Sequence, residues 1–254
     1  MSIYRDPEKI AAYLESWIKE KFAEAGASRA VLGISGGIDS ALLAALLAKA
    51  LGPENVTGVM MPCHSMPIDE EYAALLADAI KIKRAKVDLS AVYDAEVAAL
   101  EAGGAKPDGL AAANIKPRLR MITLYSIAQQ QGALVCGGGN KDEITMGYFT
   151  KYGDSGVDLL PLADLLKGEV WAVAEYLGVP REIIDRPPTA ALWEGQTDEA
   201  EMGLTYKELD AYIATGEASE AAKEKIERAN KRSAHKRLFP PMAKLPDNLL
   251  SKKF

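Results

Sequence analysis

Several features are scarce or missing in this sequence, and each absence narrows its class. There are two cysteines in 254 residues, Cys63 and Cys136, too few for a disulfide framework. No stretch reaches about 18 uncharged apolar residues, so no membrane span is expected. The opening residues carry no basic-then-apolar leader pattern, and the cytosol is the expected compartment. Positive charge is not in excess. The formal net charge is −6, which argues against broad non-specific nucleic-acid binding. No internal repeat and no long low-complexity segment interrupts the chain. What remains is an ordinary globular composition, long enough for one α/β domain spanning 1–254.

The chain is organised around Ala30-Val31-Leu32-Gly33-Ile34-Ser35-Gly36-Gly37-Ile38-Asp39-Ser40, followed by Ala41 to Leu47. A short apolar run, two glycines and a long apolar segment read as buried strand, tight turn and helix. Glycine allows positive φ and close approach of a ligand to the main chain. Successive N–H groups at the positive end of a helix make an anion site. Asp39 and Ser40 fall in the first helical turn, where a carboxylate can hold magnesium against phosphate oxygens. No Gly-Lys-Ser/Thr follows, so this is not a Walker loop. G-x-G-x-x-G is also missing, so it is not the dinucleotide fingerprint.

Taken in order, Asp6-Pro7 predicts a capped helix start, with Ile10, Leu14, Trp17 and Ile18 on one face. Strands are predicted at 56–61, 85–89 and 133–136, with helices at 41–51, 69–83, 91–100 and from after Met121 to about Gln131. Later helices are predicted at 168–177, 205–215 and 219–229. A second glycine-rich loop, Gly137-Gly138-Gly139-Asn140-Lys141-Asp142-Glu143, leaves the fourth strand. Strands alternating with helices give a parallel sheet covered on both faces, a three-layer doubly wound α/β fold. Both glycine loops then leave carboxyl ends of strands and can face one crevice. That pairs Asp39 with Glu143 as candidate metal ligands, although each acid alone reads as a solvated surface group. The segment Gly147 to Pro161 shows no regular period and suits a binding loop. The two prolines of Arg186-Pro187-Pro188 exclude a central strand. Lys231 to Arg237 is densely basic and reads either as a solvated helix end or as an anion-binding patch.

Ser-Gly-Gly-x-Asp-Ser at 35–40 resembles the signature of the ATP pyrophosphatases. More particular motifs resemble ammonia-dependent NAD synthetase. They are Asn114-Ile115-Lys116-Pro117-Arg118-Leu119-Arg120-Met121, Gly139 to Glu143, Gly147-Tyr148-Phe149-Thr150-Lys151-Tyr152-Gly153-Asp154 and Trp193-Glu194-Gly195-Gln196-Thr197-Asp198-Glu199. The resemblance runs from the first helix to the basic tail. It implies a Rossmann-like adenine-nucleotide α-hydrolase fold and a ligase that turns deamido-NAD into NAD. ATP would adenylate the nicotinate carboxylate, and free ammonia would displace AMP. The ATP phosphates would lie on Gly33, Ile34, Ser35, Gly36, Gly37, Ile38, Asp39 and Ser40. Further ATP contacts would come from Gly138, Lys167 and Thr189. Asp39 and Glu143 would hold Mg2+, and with Lys167 would form the catalytic set. Arg118, Lys151, Asp158, His235 and Lys236 would bind deamido-NAD. The family usually has threonine at position 138, so the Gly138 loop lacks a hydroxyl contact to ATP. A homodimer is implied, with contacts from the first helix and the helix after Arg120. Neither a nucleic-acid nor a membrane partner is implied.

Two other readings stay open on sequence. A tRNA-thiolating ATP pyrophosphatase also activates by adenylation and passes sulfur through cysteines. Cys63 and Cys136 each follow a predicted strand, although no Cys-x-x-Cys is present and free cysteine is usually a small buried hydrophobe. A non-catalytic adenine-nucleotide-binding module would use the same turn without the chemistry.

Overall fold

The computed structural model describes residues 2–189 and 197–246. The first half contains α1 (Pro7–Glu24), β1 (Ala30–Gly33), α2 (Ile38–Leu51), β2 (Val56–Met60), α3 (Pro67–Ile80), β3 (Lys83–Lys86), α4 (Ser90–Ala102), α5 (Gly109–Ala113) and α6 (Ile115–Gln131). The second half contains β4 (Leu134–Val135), α7 (Lys141–Met146), α8 (Lys167–Tyr176), α9 (Arg181–Ile184), α10 (Asp198–Met202), α11 (Tyr206–Thr215) and α12 (Glu220–Arg237). Among the described residues no helix is long and apolar enough to cross a membrane.

The four strands are parallel and ordered β3-β2-β1-β4. Alternation along each strand divides the sheet into two faces. Ala30, Leu32, Val56 and Met60 join the larger core with the buried residues of α1, α2 and α8. Val31, Val59 and Val135 turn the other way, onto Leu124 and Ala128 of α6. Helices on both faces make three layers, as the sequence predicts. Ala41 to Leu47 of α2 are all buried, which explains a helix that is apolar on nearly every side. A third, smaller cluster of Met202, Leu204, Tyr206, Leu209, Ala222 and Ile226 binds α10, α11 and α12 together.

Strand order fixes where a ligand can bind. The chain lays down β1, β2 and β3 toward one edge and then returns to place β4 on the other side of β1. The carboxyl ends of β1 and β4 therefore diverge at the point where the order reverses, and a crevice opens there.

Local boundaries follow local chemistry. Asp6 caps α1 by accepting from the Glu8 and Lys9 N–H groups, with proline in the first turn. α6 begins at Ile115, earlier than predicted, because Pro117 sits in the first turn, where a missing N–H has no helical partner to lose. β3 begins two residues earlier than predicted and ends at Lys86. β4 is only two residues long, and Cys136 continues it as a bridge to Leu159. α12 runs on to Arg237, so the basic run is helical. Its last turn carries His235, Lys236 and Arg237 at the negative end of the helix.

Candidate active site

The turn between β1 and α2 is held open by three sets of contacts. Gly36 has φ +76°, and a Cβ there would lie 2.5 Å from the Asp69 carbonyl oxygen, so only glycine fits. The Arg186 guanidinium donates to the Gly36 carbonyl at 3.3 Å, pairs with the Asp69 carboxylate and lies over the Tyr72 ring. Ser40 Oγ donates to the Gly37 carbonyl at 2.9 Å and accepts from the Ser35 N–H at 3.2 Å. No side chain caps α2 at Gly37, which leaves the first N–H groups of a 14-residue helix available to an anion.

The second glycine loop packs directly against this turn. A Cβ on Gly138 would meet the Asp39 carbonyl carbon at 3.4 Å and the Ser40 nitrogen at 3.5 Å. Asn140 then caps α7 in a capping box: its Oδ1 accepts from the Glu143 N–H at 3.0 Å, and its own N–H donates to Glu143 Oε2 at 3.1 Å. The remaining amide group, Nδ2, donates to Asp39 Oδ1 at 2.8 Å. Asp39 Oδ2 accepts from Lys167 Nζ at 2.6 Å. One unbroken chain, Lys167–Asp39–Asn140–Glu143, thus ties α8, α2 and α7 together where β1 and β4 end.

Electrostatics at this point are finely opposed. The Lys167 side chain is 1% exposed and faces the Tyr206 and Trp171 rings at 5.0 and 5.7 Å. Burial alone would lower its pKa, but the Asp39 and Glu143 charges outweigh burial and raise it. Burial, and then the Asp39 charge, push Glu143 well above the usual carboxylate range. Two carboxylates that resist sharing charge, beside a phosphate-type turn, fit a divalent cation. Both are hard oxygen donors. Among the described residues no cluster of three or more His, Cys, Asp or Glu makes an all-protein metal cage. That suits magnesium, which takes one or two carboxylates and completes its shell with water and phosphate oxygens.

Behind Lys167 stands a second row of acids. The Lys167 N–H is shared by Asp142 Oδ2 at 2.9 Å and Asp210 Oδ1 at 3.1 Å. Asp210 Oδ2 accepts from the Gly168 N–H and from the Tyr4 hydroxyl, both at 2.9 Å. Burial and the Asp210 charge push Asp142 up to about 8. Glycine is required at 168, because a Cβ there would come within 2.3 Å of the Tyr4 ring. Arg5 pairs with Glu169 and Asp164. Buried Asp198 accepts from the Tyr206 hydroxyl at 2.8 Å.

These groups surround a cavity of about 1070 Å³, at the upper end of the roughly 300–1,000 Å³ of ordinary ligand pockets. Gly33, Ile34, Ser35, Gly37, Ile38, Asp39, Ser40, Gly138, Glu143 and Thr189 line it. Gly36 is turned away against Asp69, and Lys167 reaches the site through Asp39. Of the residues implied for deamido-NAD, Lys236 lines the cavity and donates to the Gly147 and Phe149 carbonyls. The others lie beside it. Arg118 reaches the Lys151 carbonyl at 3.4 Å, and Lys151 Nζ donates to the His235 carbonyl at 2.7 Å. Asp158 accepts from the Val135 N–H at 2.8 Å and the Tyr125 hydroxyl at 3.0 Å, pinning β4. Trp193 to Gln196 of the Trp-Glu-Gly-Gln motif lie outside the described residues. Residue-level reading gave no role to Asn140, Arg186 or Tyr206. An Asn three residues before Glu143 is a capping signal that could have found Asn140. Arg186 and Tyr206 carry no local signal.

A doubly wound sheet with a glycine turn at its switch point, two facing acids and a buried lysine defines an adenine-nucleotide-binding protein of the ATP pyrophosphatase class. The NAD synthase family model matches residues 10–240, and the chain belongs to that family. It is 49% identical over 233 residues to a protein of Carboxydothermus hydrogenoformans named NH(3)-dependent NAD(+) synthetase, covering 91% of this chain and 96% of that one. Among solved structures it resembles an NMN synthetase from Francisella tularensis, with TM-score 0.88, 36% identity and 96% and 100% of the two chains covered. It also resembles an NH3-dependent NAD synthetase from Campylobacter jejuni, with TM-score 0.80, 27% identity and 94% and 100% covered.

Proposed function

We propose that this chain is an ammonia-dependent NAD synthetase, a ligase that amidates deamido-NAD at the expense of ATP. The observation that carries the mechanism is the Lys167–Asp39–Asn140–Glu143 chain at the mouth of the glycine turn. In the first step a nicotinate carboxylate oxygen attacks the α-phosphorus of ATP. A P–O bond to the β-phosphate breaks and pyrophosphate leaves. In the second, the ammonia lone pair attacks the carbonyl carbon, the C–O bond to AMP breaks, and the nitrogen sheds a proton. A carboxylate is a poor electrophile and neutral ammonia a competent nucleophile. The protein therefore has mainly to position the reactants and neutralise charge.

The uncapped N–H groups of the turn and α2 receive the phosphates. Asp39 and Glu143 would hold Mg2+, which supplies charge neutralisation for the departing diphosphate. Lys167 fixes the orientation of Asp39 and adds a positive charge at the same place. Gly138 meets ATP through its backbone, and Thr189 closes the cavity wall. Arg118, Lys151, Asp158, His235 and Lys236 form the deamido-NAD side, the basic end of α12 lying along it. Ammonia is the nitrogen donor, with glutamine supporting little or no turnover. Two copies of the chain pair through α1 and α6, a reading supported by Tyr13 and Ile122, which stand 68% and 57% exposed on those helices.

Sulfur transfer loses its support. Burial raises both thiols, Cys136 to about 12, so neither is poised as a thiolate nucleophile. The deciding assay is NAD formation from deamido-NAD, ATP, magnesium and ammonium. Asp39→Asn removes the charge, keeps the side-chain size and leaves one carbonyl oxygen to accept from Lys167 or Asn140. It is expected to lose roughly 100-fold or more in kcat, with its fold retained. Asp39→Ala is the poorer control, because it also takes away the last acceptor for the buried ammonium and leaves a void beside it. Wild-type protein that forms no NAD under these conditions, or an unaffected Asp39→Asn variant, overturns the reading.

A further inference from the structure

We propose that Arg120 is a substrate-binding residue whose guanidinium receives an anionic oxygen, phosphoryl or carboxylate, on the floor of the cavity. The inference rests on the function proposed above and adds a contact to it.

Arg120 lies in the first half of α6, below the carboxyl end of β2, and lines the cavity with Asn114, Met121 and Ser65. Its Nε donates to the Met61 carbonyl at 3.2 Å, and Nη2 reaches Ser65 Oγ at 3.4 Å. A guanidinium carries five N–H donors. Among the described residues the other three meet no acceptor, and no carboxylate forms an ion pair with this side chain. Burial lowers its pKa, and the more distant Asp69 and Asp154 charges offset that only in part.

Arg237 is also part-buried without a carboxylate, but it spends its donors on the Ile144 and Asn230 carbonyls and Ser233 Oγ and does not line the cavity. Arg5, Arg84, Arg181 and Arg186 are each paired with a carboxylate. Arg228 and Arg232 also line the cavity, but they are exposed and water solvates them. A part-buried cation with no carboxylate in contact carries a desolvation cost that a bound anion would offset. The planar fork is also suited to two oxygens of one phosphoryl or carboxylate group.

The position favours the reacting end of the substrates. Met61, whose carbonyl Arg120 holds, places its methyl 3.0 Å from where a Cβ on Gly33 would lie, and Gly33 is the last residue of β1 before the turn. Arg120 thus sits one strand away from the phosphate turn, on the α6 side. Arg118, two residues earlier, cannot serve the same point, because residues i and i+2 do not share a helix face. It reaches Lys151 instead. Two substrates can supply the anion: ATP, through a phosphoryl oxygen, or deamido-NAD, through its nicotinate carboxylate or pyrophosphate.

The test is Arg120→Gln and Arg120→Lys in the full chain, with steady-state kinetics for each substrate and a melting temperature for each variant. Arg120→Gln is expected to lose roughly 10- to 100-fold in kcat/KM for the substrate that supplies the anion, and Arg120→Lys is expected to recover part of that loss. A rise in KM for ATP alone assigns the phosphoryl source, and a rise for deamido-NAD alone assigns the dinucleotide. A lower melting temperature with kcat and both KM values unchanged would show that Arg120 only ties down the 61–65 loop, and would overturn the proposal. If Arg120→Gln does not fold, the same readings on Arg120→Lys decide. Activity of the wild-type enzyme is measured alongside, so failure of the parent reading is seen separately.

Discussion

Gly138 stands where the resemblance implies threonine, and the structure allows a specific expectation. A Cβ on Gly138 would meet Asp39 and Ser40 backbone atoms at 3.4–3.5 Å, which is ordinary contact. A β-carbon can therefore be introduced without displacing the turn. Gly138→Thr is expected to fold with an unchanged melting temperature and to lower the KM for ATP by roughly tenfold, the worth of one hydrogen bond to a charged group. Isothermal titration with ATP checks it, and an unchanged or raised KM would mean that the backbone of this loop already does the work. The turn and its two acids were legible in the sequence because glycine and carboxylate placement is local chemistry. Lys167 was not. A lysine at the start of a helix reads as a surface charge, and only the packing of α8 against α2 brings its Nζ to Asp39, 128 positions away in sequence.

At the scale of elements, the junction of α7, α8 and α11 stores a cost that depends on pH. Asp142 and Asp210 share the Lys167 N–H, and Asp142 Oδ1 is buried without a partner. With its pKa raised to about 8 from an ordinary value of 3.8, Asp142 binds a proton more tightly folded than unfolded. Its contribution to stability is therefore fully present below the unfolded value and is lost as pH rises toward 8. Asp142→Asn mimics the protonated form and is expected to flatten that fall. The variant should come nearest to wild type below pH 4 and exceed it by roughly 1–3 kcal/mol above pH 8, read from urea unfolding at both pH values. Equal slopes for the two proteins would mean that the acid pair is relieved in another way. Helix existence was read from apolar spacing, but the start of α6 was not, because Asn114 accepts from Thr150 Oγ1 at 2.6 Å and Pro117 lies in the first turn. That is tertiary support for a start with no side-chain cap.

For the whole molecule, the sheet order explains why one crevice serves the chemistry. β1 and β4 are neighbours in space but separated by β2, β3 and five helices in sequence, so no local pattern announces their adjacency. Parallel pairing was inferred from alternation of strands and helices, and the order β3-β2-β1-β4 followed only from the structure. The proposed pairing of two chains is testable at this scale. Ile122→Glu on the exposed face of α6 is expected to shift light-scattering mass from dimer to monomer while the far-ultraviolet dichroism stays unchanged. A wild-type protein that is monomeric at working concentrations would remove the dimer from the account.

The segment ahead of α1 has a practical consequence. Tyr4 fills the space left by Gly168, and Arg5 clasps Glu169, so the first few residues brace the very helix that presents Lys167. Trimming them, or hanging a bulky fusion close to Tyr4, would slacken a brace far from any substrate. The loss would surface as a catalytic defect, and a reader of the assay alone would look for its origin in the wrong place.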